Sequence, residues 1–278
     1  MINLTLRELQ LAELNILTAF DSFCRQHGLK YSLVGGTLLG AIRHKGFIPW
    51  DDDVDVGMPR PDYEKFFSML KENNFVLPTQ DSLVLIPDRG EDAKLPYLKL
   101  TDTNIYINSK GGQVTKNIWI DIFPADGFPA DDKQAWKLFK KLRGYRRIMF
   151  YSINNGSTKR SWRKVAAKFY RVYAKCYGIK RALKNMQKAV ANYSYDTSEY
   201  IGCLVWGMYG VGERLNRDSY SNLIDVEFES HQFCAIKNYD EYLTGIYGDY
   251  MTPPPENKRG SHYIIAYKKS ETDEDTNE

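Results

Sequence analysis

The 278-residue sequence contains no apolar run of about 18 residues, the length an α-helix needs to cross a bilayer. Its opening stretch, MINLTLRELQLAEL, lacks the basic start, apolar core and small-residue cleavage site of a secretory leader, so a cytosolic protein is expected. Cysteine is scarce: Cys24, Cys176, Cys203 and Cys234 stand far apart without metal-ligand spacing, which argues against a zinc framework and for buried thiols. Acid is absent from one long stretch, because from Lys133 to Tyr195 there are 18 Lys and Arg and no Asp or Glu. The rest of the chain then carries 20 basic residues against 35 acidic ones, and the net charge of +3 conceals a basic middle between acidic ends. With 43% hydrophobic and 14% aromatic residues, the composition is that of a globular chain long enough to bury a full core.

The local signals give an element order. Thr5 and Glu8 form a capping box ahead of a Leu6, Leu9, Leu14, Leu17, Phe20, Cys24 stripe, predicting a helix from Leu6 to Gln26 that His27-Gly28 ends. A short strand over Tyr31 to Val34 leads into Gly35-Gly36, where the backbone bends tightly, and Thr37 is expected to cap a short helix through Arg43. Pro61 marks a helix start with Tyr63, Phe66, Phe67 and Leu70 on one face. Strand-like runs follow at Leu83 to Ile86, Pro96 to Leu100, Asn104 to Ile107 and Asn117 to Phe123. From Asp131 the period becomes helical, and in SWRKVAAKFYRVYAKCYGIK the residues Trp162, Val165, Ala166, Phe169, Tyr173 and Tyr177 form one apolar stripe. Arg163, Lys164, Lys168, Arg171 and Lys175 face outward from it, either as a solvated basic face or as a surface for anionic lipid headgroups. No nucleic-acid recognition motif accompanies these charges. The last third, rich in Gly, Tyr and the Pro253-Pro254-Pro255 run, is expected to be irregular and to pack back on the core, with the tail ETDEDTNE disordered.

The chemistry concentrates in YSLVGGTLLGAIRHKGFIPWDDDVDVGM, from Tyr31 to Met58. On an extended strand Asp53 and Asp55 project from one face while Val54 and Val56 enter the core, and Asp51 precedes them by the same step. Like carboxylates crowded together need a cation, and hard oxygen ligands suit Mg2+ or Mn2+ bridging substrate phosphates. In NIWIDIF the single acid Asp121 is costly in a central strand unless it faces a site, so it is expected to join the same platform. A calcium loop is excluded, since Val56 stands where that loop needs glycine and Asp62 where its bidentate Glu belongs.

A glycine turn, a D-x-D strand and a later acid in a separate strand resemble the nucleotidyltransferase superfamily. More specifically, GGTLLGAIRHKGFIPWDDDVDVGMPRPDYEKF resembles the signature of the LicD family, and WIDIFPADGF and YDEYLTGIYGDYMTPPPENKRGSH resemble its further blocks. The resemblance implies transfer of phosphocholine from CDP-choline to a sugar hydroxyl of a bacterial surface glycan, such as a teichoic acid precursor or lipopolysaccharide. Relatives of the fukutin-related proteins, which use CDP-ribitol, share the family. On that resemblance Asp51, Asp53, Asp55 and Asp121 hold Mg2+ or Mn2+, and Asp121 is also the general base for the acceptor. Gly35, Gly36, Thr37, Arg43, His44, Lys45, Lys258, Arg259 and His262 are the candidates for holding the diphosphate. Choline's quaternary ammonium needs aromatic faces, for which Trp50, Trp119, Trp206 and Tyr209 are candidates.

The expected fold is α/β (α+β): a nucleotidyltransferase-like mixed sheet core over 1–128, a basic helical segment over 129–197, and a closing C-terminal segment over 198–278. The expected partners are CDP-choline, a lipid-linked glycan acceptor and an anionic membrane surface at the inner face of the cell membrane, and no nucleic acid. A ribitol- or glycerol-phosphate transferase, a GT-A-like glycosyltransferase and a non-catalytic choline- or glycan-binding module remain open as alternatives.

Overall fold

The computed structural model describes residues 2–91, 93–108, 115–153, 161–260 and 265–268, the side chains of 108 and 161–166 excepted. After a two-residue strand β1 (Ile2–Asn3), helix α1 (Leu6–His27) begins at the expected capping box. The Thr5 hydroxyl accepts from the Glu8 amide at 3.3 Å, and the Thr5 amide donates to Glu8 Oε2 at 2.7 Å. Gly28, at φ +61°, ends the helix in the left-handed conformation that glycine adopts without strain. The buried stripe of α1 carries Leu9, Ile16, Leu17, Phe20 and Phe23. Its Phe20 and Phe23 rings meet Phe66 edge-on at 5.3 and 5.7 Å.

Phe66 lies on α3 (Arg60–Glu72), whose Tyr63, Phe66, Phe67 and Leu70 are buried as their spacing predicts. Between α1 and α3 come β2 (Ser32–Leu33), α2 (Gly35–His44) and β3 (Asp55–Pro59). Four further strands follow: β4 (Val76–Leu77), β5 (Gln80–Ile86), β6 (Leu98–Asn108) and β7 (Asn117–Phe128). The runs at Pro96 to Leu100 and Asn104 to Ile107 prove to be one strand, β6, broken by a register shift against β7 between Asp102 and Tyr106. Strand β7 continues past Phe123 to Phe128. There Asp126 receives the Arg60 guanidinium on both carboxylate oxygens, at 2.6 and 2.9 Å, tying the strand to α3.

Helices α4 (Asp132–Ile153), α5 (Ser161–Tyr177) and α6 (Ile179–Val190) form a separate layer with its own core of Leu138, Leu142, Met149, Leu183 and Met186. The expected buried stripe of α5 is overturned at Phe169, 74% exposed, and Tyr173, 51% exposed, whereas Tyr177 is half-buried against the core of the helical layer. The helix instead turns its small face inward, with Ala167 and Ala174 buried. Two alanines seven apart share a face and allow α5 a close approach to its neighbours. Trp162, Val165 and Ala166 of that stripe, with Arg163 and Lys164, lie outside the described side chains.

The last third is more regular than its composition suggests. It supplies β8 (Tyr200–Gly202), β9 (Leu215–Asn216), the hairpin β10 (Leu223–Phe228) and β11 (His231–Ile236), α7 (Tyr239–Tyr247) and β12 (Ile265–Lys268). Strand β12 pairs with β6 inside the main sheet, whose order is β1-β12-β6-β7-β3-β2 with β5 also on β6 and β8 on the distal part of β7. Only the β3–β7 pairing is parallel among the described strands, so the sheet is mixed and the fold is α/β.

The edge-on contacts of Phe20 and Phe23 with Phe66 join α1 to α3. Phe66→Ala is therefore expected to destabilise the chain by about 3–5 kcal/mol, read as a lower denaturant midpoint with the native far-UV spectrum retained.

Candidate active site

Three strands bring three charged groups into one row. The parallel register sets Asp55 of β3 opposite Asp121 of β7, and the antiparallel register sets Asp121 opposite Lys99 of β6. Residues directly opposite in register point to the same face of a sheet. Lys99 Nζ donates to Asp121 Oδ1 at 2.5 Å, with both side chains largely buried. The same ammonium lies 4.1 Å from the Trp119 ring centroid and 5.5 Å from that of Tyr97. Sequence reasoning missed Lys99, although a signal was present. In LPYLKL the core residues Leu98 and Leu100 bracket a lysine that the period of two sends to the opposite face.

The glycine turn sits against the acids. Helix α2 starts at Gly35, earlier than expected, with Val34 as its N-cap. Thr37 is thus an internal helix residue, and its hydroxyl accepts the Asp55 amide at 2.8 Å, holding the start of β3 in place. Gly35, at φ +54°, donates its amide to the Tyr242 hydroxyl at 3.3 Å. A Cβ on Gly36 would stand 2.7 Å from Asp51 Oδ2, and one on Gly35 3.3 Å from Asp55 Oδ2. The two glycines are therefore needed for carboxylates to approach the helix N-terminus, whose positive dipole end favours them. Beneath this layer, Gln10 of α1 donates to the Asp51 carbonyl at 2.9 Å, and Glu13 and Asp52 are buried.

Burial, and then the charges of Asp53, Asp121 and Asp51, push the Asp55 carboxyl well above the usual carboxylate range, with Lys99 opposing. Glu13 is raised in the same way, by burial first and then by Asp53, Asp52, Asp51 and Asp55. Burial and the neighbouring carboxylates thus disfavour the ionised form of both groups.

These groups line a cavity of about 910 Å³. Gly35, Gly36, Arg43, Asp51, Asp53, Asp55, Asp121 and Lys258 all reach it. So do the four aromatic candidates Trp50, Trp119, Trp206 and Tyr209. Tyr97, Phe123, Tyr242, Tyr247 and Tyr250, not anticipated as site residues from sequence, add to its aromatic wall. Glu213 accepts the Tyr209 amide at 2.7 Å and fixes that loop. Five residues expected to contact phosphate are not among the described residues that line the cavity, the first being Thr37, buried with its hydroxyl on the Asp55 amide. His44 and Lys45 end α2 away from the lining; the Lys45 carbonyl accepts the Glu229 amide at 2.8 Å, and burial and Arg43 lower the His44 pKa. Arg259 does not line the cavity but stacks its guanidinium 4.7 Å from the Trp50 ring centroid, and His262 lies outside the described residues.

The donor set suits a metal ion of a particular kind. Among the described residues no three His, Cys, Asp or Glu side chains are grouped closely enough to form a protein-only cage. Mg2+ does not require one, since it keeps several waters and takes one or two carboxylates together with substrate phosphates. Paired carboxylates under mutual repulsion, pressed against a glycine turn, fit an ion that arrives with a diphosphate.

Comparison with known proteins gives a family and several relatives. The family model described as LicD/FKTN/FKRP, nucleotidyltransferase domain, matches residues 28–177. The lipopolysaccharide cholinephosphotransferase LicD of Haemophilus influenzae is 37% identical over 280 residues, covering 94% of this chain and 97% of that one. The ribitol 5-phosphate transferase FKRP of Homo sapiens is 61% identical over 31 residues, 11% of this chain and 6% of that one. An uncharacterized protein of Rickettsia typhi is 28% identical over 118 residues, 41% of this chain and 34% of its own.

Two outcomes are expected from the packing of the acids. Gly36→Ala suits a helix better by roughly 0.5–1 kcal/mol but displaces the Asp51 carboxylate. Turnover should fall by about 100-fold while the thermal midpoint holds or rises, which kinetics and melting on one preparation will read. Asp55 also links stability to pH. Its folded-state pKa lies above the unfolded value, so its contribution is fully present below the ordinary carboxylate range and is lost as pH rises through the raised value. In metal-free buffer the wild-type melting temperature should fall more steeply with rising pH over that window than that of Asp55→Asn.

Proposed function

The chain belongs to the LicD family, and on that premise we propose that it transfers phosphocholine from CDP-choline to a sugar hydroxyl of a bacterial cell-surface glycan precursor, releasing CMP. The observation that carries the reading is the Asp55–Asp121–Lys99 row beside the Gly35-Gly36 turn, within a cavity large enough for a nucleotide and walled by aromatic rings. Asp53 and Asp55 are the residues that would hold Mg2+ or Mn2+, with Asp51 beside them against Gly36. The bound ion would neutralise charge on the diphosphate as the bond to CMP breaks.

The chain's own residues supply the rest. Asp121 accepts the proton of the acceptor hydroxyl, whose oxygen forms a bond to the choline-bearing phosphorus. Lys99 holds the Asp121 carboxylate in place through its ion pair and is itself fixed by the Trp119 and Tyr97 rings. The phosphoanhydride bond breaks, and its electron pair leaves with CMP, whose charge Arg43 and Lys258 at the cavity wall offset. Positioning and charge stabilisation therefore account for most of the catalysis.

The aromatic wall divides by what already faces it. Trp119 is faced by Lys99 and Trp50 by Arg259, so both rings hold a cation of the chain itself. Trp206, set edge-on to Tyr97 at 5.1 Å, and Tyr209, set edge-on to Tyr247 at 5.5 Å, are the rings we assign to the trimethylammonium group. Tyr209→Leu should raise the KM for CDP-choline by roughly 3- to 30-fold and leave that for CDP-ribitol little changed, as competition between the two donors will show.

The reaction itself is tested by CMP release from CDP-choline, CDP-ribitol and UDP-sugars, with a lipid-linked glycan acceptor and Mg2+. Choline-selective release that falls roughly 100-fold or more in Asp53→Ala and in Asp121→Ala is expected. Release from CDP-ribitol alone would move the chain to the ribitol-phosphate branch, and release unaffected by either substitution would refute the assigned acids.

A further inference from the structure

The helical layer leaves an apolar face uncovered. On α4, Trp136, Lys140, Arg143, Arg147 and Phe150 recur at intervals of four and three, and all five are exposed. On α5, Phe169, Val172, Tyr173 and Cys176 share an exposed face at helical spacing, flanked by Lys168 and Lys175. The two faces are continuous, because Tyr151 and Tyr170 meet at 5.0 Å between them, with Phe150 against Tyr151 and Tyr173 against Tyr170. Arg147 stacks over the same Tyr170 ring, 4.9 Å from its centroid. A cavity of about 520 Å³ opens beside this patch, and among the described residues that line it are Lys94, Lys175, Lys180 and Arg181 with Glu91.

We infer that this face of α4 and α5 docks the protein on an anionic phospholipid bilayer. The charge pattern selects that occupant. Lys140, Arg143, Arg147, Lys168 and Lys175 lie on or beside this face, within a stretch from Lys133 to Tyr195 that has 18 Lys and Arg and no acid. The face is therefore complementary to an anionic surface, and pairing it with the same face of a second copy would bring like charges together. Exposed Phe, Trp, Tyr and Val among lysines and arginines match the interfacial zone, where rings enter the headgroup boundary and cations meet lipid phosphate. Nucleic acid would satisfy the cations but leave Phe169 and Val172 exposed without a partner.

The docked orientation would serve the cavity. Trp136 rests against Gly210, beside Met208 and Tyr209 at the cavity wall, and Met208 is 77% exposed. Helix α4 then runs about 21 Å along its exposed stripe from that rim to Phe150. A bilayer against this face lies beside the cavity mouth, where a lipid-linked acceptor is presented. The orientation rests on the proposed acceptor, whereas the docking does not.

Flotation of the full chain with vesicles tests the inference without any transferase readout. The wild type should float with vesicles containing phosphatidylglycerol and bind pure phosphatidylcholine vesicles at least roughly tenfold more weakly, with binding lost at high salt. Phe150→Ser with Phe169→Ser, and separately Lys140→Glu with Arg143→Glu, should each reduce flotation at least roughly tenfold. Both pairs should keep the wild-type melting curve and CMP release on a delipidated acceptor. Equal binding to both vesicle types, flotation unchanged in both pairs, or absence of flotation together with tight binding to RNA would overturn the docking. Loss of CMP release in the wild type with flotation intact would instead count against the transferase reading alone.

Discussion

Repulsion among carboxylates held beside a glycine turn is the constraint on which the site depends. Asp51, Asp53, Asp55 and Asp121 reach one cavity, with Glu13 and Asp52 buried behind them. Left alone, such a cluster would protonate or push its strands apart. The fold offsets it at two points: the N-terminus of α2 receives the Asp51 and Asp55 carboxylates, and Lys99 binds Asp121. Burial and mutual repulsion still disfavour the ionised Asp55 and Glu13, and the proposed divalent ion would relieve that repulsion where phosphoryl chemistry is proposed.

The rest of the chain builds around that cluster. α1 supports it from below through Gln10, and Thr37 of α2 fixes the amide of Asp55. The C-terminal third supplies the facing wall. Tyr242 on α7 takes the Gly35 amide, Glu213 fixes the Tyr209 loop, and β12 returns to the sheet beside β6. Elements from both ends of the sequence therefore enclose a cavity that the N-terminal half alone would leave open.

Much of the site was legible because its chemistry and its spacing coincide. The alternation around Asp53 and Asp55 and the lone acid in NIWIDIF can be read along the chain, and both lead to the cavity. Lys99 was not, since a lysine alternating with leucines also describes an ordinary strand with one wet face; only the register against β7 shows that its face is the site. Thr37 was misplaced because a Gly-Gly-Thr sequence suits a cap as well as a first helical turn, and Val34 proved to be the cap. Phe169 and Tyr173 of the α5 stripe were misassigned for a related reason. Amphipathic spacing names two faces, and the neighbouring helices decided that the alanine face was buried and the Phe169 face exposed. Strands as short as β8 and β9 leave too little periodicity to be seen before their partners are known.

The central claim is that the glycine turn and its acids bind a divalent ion together with the diphosphate of the donor. Electron paramagnetic resonance of free Mn2+, titrated with the protein in the presence and absence of CDP-choline, reads it most directly. Mn2+ uptake that tightens when CDP-choline is added, and that disappears in Asp53→Asn, is the predicted result. Uptake indifferent to the donor, or equal in Asp53→Asn and wild type, would contradict it.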